Sequence, residues 1–340
     1  MILQLENNVN PRQMEAIRDV LTANAFSVNE VRTPHNHYLV AIGKKEVDIR
    51  AIGQLEGVRD IHRVEDAYKL VSRKWRVHDT VIHLGDGITI GRNSLSIIAG
   101  PCSIEGHEQT MSTINHLKQN GLRLMRGGVF KPRTSPYAFR GVGLNGLKEV
   151  SALCKQHGIL LITEVMQVAQ VAEMADFVDI FQVGTRNAQN FNLLDELGQA
   201  GKPVMLKRGF SGTIEELLQA AEYVYSAGNE QIILCERGIR TFETAYRNTL
   251  DLNAIPVLKE KSHLPVFVDP SHGVGLRQYV PQMALAAVMA GADGVILEVH
   301  NCPERAMSDG QQTLNYDEAG RLYGQLRSTW ELRKSFNGAQ

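Results

Sequence analysis

What the 340-residue chain lacks narrows its class before any motif is read. It has no excess of either charge: 36 Lys and Arg stand against 37 Asp and Glu, a formal net charge of -1. That removes the electrostatic case for nucleic acid as the main partner, and leaves room for a local basic pocket. No apolar run reaches the ~18 residues that span a bilayer. The N-terminus, MILQLENNVNPRQ, carries acidic and amide residues where a signal peptide has basic and then apolar ones. The expectation is a cytoplasmic protein with no membrane partner. Four cysteines (Cys102, Cys154, Cys235, Cys302) are too few for a disulfide scaffold at this length. In a reducing compartment an exposed one is a candidate metal ligand or nucleophile.

What is present divides into two textures. Residues 1–70 hold short segments in the order strand (MILQL), helix (from Pro11), strand (SVNEVRT), strand (HYLVAIG), helix (DIRAIGQLEGV) and strand (VRDIHRVE). This is the βαββαβ order of a ferredoxin-like unit, whose sheet leaves one face for something else to cover. Residues 71–94 read as a linker with a turn at Gly85-Asp86-Gly87 between two short strand-like runs. From 95 to 340, apolar strands alternate with amphipathic helices. The strands are LSIIAGPC, LRLMRGG, LLITEVM, IFQVGT, PVMLKRG, QIILCERG, PVFVDPSH and GVILEVH. Eight such units predict a (β/α)8 TIM barrel, an α/β fold with a parallel sheet covered on both sides. No Gly-x-Gly-x-x-Gly turn follows the first of these strands, which argues against a doubly wound dinucleotide fold.

Active sites of such barrels lie at the C-terminal ends of the strands. Nearly every predicted strand delivers a polar group there. Cys102, His272, Glu298 and Asp309 form a mixed S/N/O set suited to a divalent transition metal. Taken singly, Cys102 reads as a small buried residue and His272 as a structural histidine. His300 and His83 compete as ligands on sequence grounds. The second group is basic: Arg126, Lys131, Arg133, Arg186, Lys207 and Arg237. Taken singly, each reads equally well as a solvated surface charge. Together they point to an anion pocket, and six cations suit two phosphates and a carboxylate. The punctuated segment FKPRTSPYAFRGVG reads as a long ligand-binding loop or an ordinary exposed one, with Thr134 and Ser135 as hydroxyl donors to a phosphate.

The motifs AGPCSIEG (99–106), KPRTSPYAFRGVG (131–143), GTRNAQNF (184–191), LKRG (206–209), CERGIRTFE (235–243), DPSHGVG (269–275), and EVH with SDG (298–300, 308–310) resemble those of 3-deoxy-D-arabino-heptulosonate 7-phosphate (DAHP) synthase. The short barrel behind a small N-terminal domain is similar to the type Iβ subgroup. The resemblance implies condensation of phosphoenolpyruvate with erythrose 4-phosphate and water, giving DAHP and phosphate, the first step of the shikimate pathway. It implies a divalent metal (Mn, Fe, Co or Zn) on Cys102, His272, Glu298 and Asp309. It implies a phosphoenolpyruvate pocket of Arg126, Lys131, Arg186, Lys207 and Arg237. The aldose phosphate falls to the loop with Arg133, Thr134 and Ser135. Lys131 is the expected general acid, and Cys102 a ligand rather than a nucleophile. The resemblance also implies a homotetramer and an N-terminal domain that binds tyrosine or phenylalanine and closes over the barrel mouth; a purely structural domain is the alternative. Three rival functions stand beside this: 3-deoxy-D-manno-octulosonate 8-phosphate synthase, which takes arabinose 5-phosphate; a Schiff-base aldolase using Lys131 or Lys207; and a non-catalytic phosphate-binding sensor.

Overall fold

The computed structural model describes residues 1–91, 93–131, 137 and 139–337. The N-terminal unit runs β1 (Ile2–Leu5), α1 (Pro11–Ala23), β2 (Ser27–Arg32), β3 (His37–Ile42), α2 (Ile49–Gly53) and β4 (Val58–His62). Its antiparallel sheet has the order β2-β3-β1-β4. A capping box starts α1: Asn10 Oδ1 accepts from Gln13 N at 3.0 Å, and Gln13 Oε1 accepts from Asn10 N at 2.9 Å. Pro11 fits the first turn, where its missing N–H costs nothing. The second helix is shorter than DIRAIGQLEGV predicts, ending at Gly53 before a turn that places Gly57 at φ 92°.

Side-chain alternation gives this sheet two apolar faces. Leu3, Leu5, Leu39 and Ala41 pack with Ile17, Leu21 and Ile52 of the two helices. Ile2, Val31, Tyr38 and Val40 point the other way and join the core of the second region. There Tyr38 meets Trp75 and Tyr225 edge-on, at 5.4 and 6.3 Å between ring centroids. The stretch expected to be a linker is itself anchored. Leu70 and Val71 are buried, their N–H groups donate to Glu222 at 2.9 and 3.0 Å, and Arg73 donates to the Lys259 and Ser262 carbonyls.

The hairpin β5 (Ile82–His83) and β6 (Thr89–Ile90) turns through Gly85-Asp86-Gly87 as predicted. Eight parallel strands then close a barrel: β7 (Ser96–Gly100), β8 (Leu124–Arg126), β9 (Leu160–Val165), β10 (Ile180–Val183), β11 (Val204–Lys207), β12 (Ile232–Glu236), β13 (Val266–Val268) and β14 (Gly294–Glu298). β14 closes on β7 from Gly294↔Ser96 to Glu298↔Gly100. The surrounding helices are α3 (His107–Gln119), α4 (Gly143–Gln156), α5 (Val168–Met174), α6 (Phe191–Gln199), α7 (Ile214–Ser226), α8 (Ala254–Lys261), α10 (Val280–Ala290) and α11 (Tyr316–Asn337), with the short α9 (Pro270–Val274) at the end of β13. Among the described residues no helix is long and apolar enough to cross a membrane.

Inside the barrel Ile98, Leu124, Ile162, Ile180, Met205, Ile233, Cys235, Phe267 and Ile296 form one apolar cluster with Ile82 and Ile90. The hairpin therefore plugs the end where the strands begin, and Asp86 pairs there with Arg123 at 3.1 Å, just ahead of β8. Gly294 leaves room for this packing: a Cβ there would lie 2.4 Å from the Phe267 ring. The N-terminal sheet docks at the same end, through α7 and the residues leading into β12 and β13. In its own chain it does not lie over the barrel mouth, contrary to the expectation of a closing domain.

Candidate active site

Strand periodicity builds the site. Two residues beyond the apolar layer, the same inward face carries Arg126, Glu164, Gln182, Lys207, Arg237, Asp269 and Glu298. The loops after β7 and β14 add Cys102 and Asp309. One donor atom from each of Cys102, His272, Glu298 and Asp309 lies within 4.8 Å of the others. Ligands bound to one ion at ~2.0–2.3 Å sit about 3.3–4.6 Å apart, so this spacing fits a single metal ion. The donors also fit, combining one thiol, one imidazole and two carboxylates.

Neighbouring groups aim these donors. Asp269 caps α9 by accepting from His272 N at 2.9 Å, and its other oxygen holds His272 Nδ1 at 2.7 Å. That leaves Nε2 facing Glu298, 3.3 Å away. A carboxylate behind a histidine is the usual device for fixing a ligating ring. Glu298 is fully buried and accepts from Arg126 Nη1 at 2.7 Å and Gln312 Nε2 at 2.6 Å. Asp309 has a left-handed backbone, φ 50° and ψ 31°, and its carbonyl accepts from Thr313 Oγ1 at 2.9 Å. Such a conformation in a non-glycine residue costs about 1–3 kcal/mol and gathers at functional sites.

The electrostatics follow from burial set against neighbours. Burial, reinforced by Glu298, pushes the Cys102 thiol up to about 12 despite Lys131 and Arg126. A divalent cation is the kind of charge that deprotonates such a thiol. Burial works against charge on Asp269, Glu298 and Asp309 as well, and is outweighed. His272 and Lys207 hold Asp269 well below the usual range, His272 and Arg126 lower Glu298, and the Cys102 hydrogen bond with His272 and Arg247 brings Asp309 to about 2. Burial also lowers His272, against the pull of Asp269 and Glu298, which favours the neutral ring that binds metal.

Beside this cluster opens a cleft lined by Lys131, Arg186, Lys207, Arg237 and Arg247, with Glu164, Gln182 and Phe210. Its cations differ. Lys207 pairs with Asp269, and Lys131 Nζ lies 3.0 Å from Cys102 Sγ and 3.1 Å from the Cys102 carbonyl. Arg186 and Arg237 make no ion pair among the described residues. Arg237 is buried, donates to the carbonyls of Gly238 and His272, and leaves its Nε without a partner.

The model of the DAHP synthetase I family matches residues 78–335. A phospho-2-dehydro-3-deoxyheptonate aldolase of Thermotoga maritima is 50% identical over 273 residues, covering 80% of each chain. The chain belongs to the DAHP synthetase I family. The crystal structure of a phospho-2-dehydro-3-deoxyheptonate aldolase (DAHP synthase) from the same organism superposes with a TM-score of 0.78 at 41% identity, over 97% of both chains. A 2-dehydro-3-deoxyphosphooctonate aldolase of Syntrophobacter fumaroxidans is 35% identical, over 75% of this chain and 93% of that protein.

In this member of the DAHP synthetase I family the four expected ligands converge, and Arg126, Lys131, Arg186, Lys207 and Arg237 reach the same cleft. Arg126 is bound to Glu298, so it supports a member of the four-donor cluster as well as lining the cleft. Arg133, Thr134 and Ser135 lie outside the described residues. The competing histidines sit elsewhere. His83 is in the floor hairpin, and His300 faces Glu105 at 3.4 Å. Sequence reasoning gave no role to Asp269, Glu164, Gln182, Phe210, Arg247 or Gln312. The period of two finds Glu164 and Gln182, two residues after Ile162 and Ile180. Gly184 gives Glu164 its space, since a Cβ there would lie 2.0 Å from Glu164 Oε1. Arg247 and Gln312 come from loops with no such signal.

Proposed function

We propose that this enzyme condenses phosphoenolpyruvate with erythrose 4-phosphate and water, releasing DAHP and inorganic phosphate. The observation that carries the reading is the pairing of a four-donor cluster that fits a metal ion with a cleft holding two arginines that, among the described residues, no carboxylate neutralises. Cys102, His272, Glu298 and Asp309 would hold the divalent ion, which as a Lewis acid supplies polarisation of an aldehyde oxygen. Arg186, and Arg237 through its unpartnered Nε–H, bind the phosphate of phosphoenolpyruvate, and Lys207 adds charge for its carboxylate. Lys131, at the boundary of cluster and cleft, is the general acid. Arg133, Thr134 and Ser135 take the aldose phosphate. A Schiff-base route asks for a neutral amine, whereas Lys207 is held in an ion pair with Asp269.

The proposal extends to organisation. Residues 1–70 form a ferredoxin-like regulatory domain of the Iβ type, 71–94 a connector and 95–340 the catalytic barrel. The effector is tyrosine or phenylalanine, the assembly a homotetramer, and the compartment the cytoplasm, in keeping with four free cysteines. Because the N-terminal sheet docks at the floor of its own barrel, closure of a mouth in this assembly falls to the sheet of another subunit.

Phosphate release measured with erythrose 4-phosphate and arabinose 5-phosphate in parallel tests the substrate. Turnover with the four-carbon sugar is expected. Preference for arabinose 5-phosphate would shift the chain to the octulosonate reaction, and phosphoenolpyruvate binding with no turnover on either sugar would make it a sensor.

A further inference from the structure

Phe210 stands in the turn between β11 and α7. Its position is fixed by backbone contacts: Gly212 N donates to the Gly209 carbonyl at 3.2 Å, and Arg240 N to the Phe210 carbonyl at 2.6 Å. Three guanidinium groups gather around its ring. Those of Arg186, Arg237 and Arg240 lie 5.6, 5.3 and 4.2 Å from the ring centroid, all inside the ~6 Å reach of a cation–π contact. Two of them, Arg186 and Arg237, line the cleft with Phe210.

Arg237 is buried and Arg186 is exposed at the rim of the cleft. The buried cations beside them are held by carboxylates: Arg126 by Glu298, Lys207 by Asp269, and Arg208 by Glu236. A carboxylate would hold Arg186 and Arg237 too, but it would cancel their charge and take up the N–H donors. An aromatic ring holds a guanidinium by its plane, leaves the charge uncancelled and keeps the N–H edges open to an anion. Its quadrupole also offsets the repulsion among cations brought close together.

We propose that Phe210 is a positioning residue that holds Arg186 and Arg237 ready for the phosphate of phosphoenolpyruvate, through the electrostatics of its ring. This rests on the reading of the cleft as the phosphoenolpyruvate site. The test replaces Phe210 in the full-length, Mn2+-loaded chain with mono-, di- and trifluorophenylalanine, which weaken the ring quadrupole at nearly constant shape. Phosphoenolpyruvate binding is measured calorimetrically without the sugar. Its Kd is expected to rise stepwise with fluorine number, to about tenfold for the trifluoro ring. The KM for phosphoenolpyruvate follows, while kcat and the KM for the sugar stay within about twofold. Phe210→Leu moves in the same direction, and Phe210→Tyr, which keeps the ring face, binds like the parent chain. A Kd that is flat across the fluorinated series overturns the proposal, as does equal loss in the Leu and Tyr variants. Failure of the unsubstituted chain to bind phosphoenolpyruvate would instead overturn the reading of the cleft, and the role of the ring with it.

Discussion

Where the barrel strands begin, Ile82 and Ile90 seal a core of Ile98, Leu124, Ile162, Met205, Phe267 and their neighbours, with Glu298 at the far end of β14 and Asp269 just past β13. Where the strands end, the next inward positions carry charge, and nearly all of it is buried. The floor is made from burial of apolar area, which stabilises without demanding partners. The mouth places ions out of water, an arrangement that gives little net stability even when pairing is good. One end of the barrel supplies rigidity and the other spends it on chemistry.

The sharpest way to break the comparison is at the four-donor cluster. His272→Ala should lower turnover by about 10^3-fold or more while leaving the fold intact, since its partners Asp269 and Glu298 keep Lys207 and Arg126. Metal content measured on the same sample should fall with it; full metal occupancy in the variant would remove His272 from the ligand set. Next in size is Arg126→Met, which strands the buried Glu298 carboxylate and should destabilise the protein by about 3–5 kcal/mol in urea unfolding. A loss under about 1 kcal/mol would mean that Glu298 finds other compensation, Gln312 being the nearest. At the floor, Ile90→Ala opens a cavity and should cost about 2–5 kcal/mol with metal binding unchanged. If that variant lost metal as readily as stability, the two ends would not be independent.

The smallest effect lies in the N-terminal unit. Partial burial disfavours charge on Glu30, but Arg32, Arg18 and His37 outweigh it and bring the carboxyl down to about 2. A depressed folded-state value means stabilisation present above the ordinary carboxylate range near ~4.3 and lost as pH falls through about 2. Glu30→Gln should therefore cost well under about 1 kcal/mol at pH 7, because the pairs are largely solvated. The gap between variant and parent should narrow as pH drops below about 4, followed by chemical denaturation.

Much of this was legible in the residues because periodicity and chain position carried it. All eight barrel strands, the βαββαβ order and the Gly-Asp-Gly hairpin follow from apolar runs and turn chemistry that act locally. The convergence of Cys102, His272, Glu298 and Asp309 was legible because strand ends share one rim. The docking of residues 64–75 was not legible, since Leu70, Val71 and Trp75 find their partners on α7 and ahead of β13, some 150–190 residues away. The division of the cations into paired and unpaired was likewise invisible. Arg126 and Arg186 look alike as strand-end arginines, and only the fold shows that one meets Glu298 and the other the Phe210 ring.

The most direct test of the central claim is phosphate release from phosphoenolpyruvate and erythrose 4-phosphate by chelator-stripped protein, titrated with Mn2+. Activity near zero in the stripped protein, restored in full at one equivalent of metal and absent on titration of the His272→Ala variant, is the predicted result. Undiminished turnover after stripping would contradict the metal cluster as the seat of the chemistry.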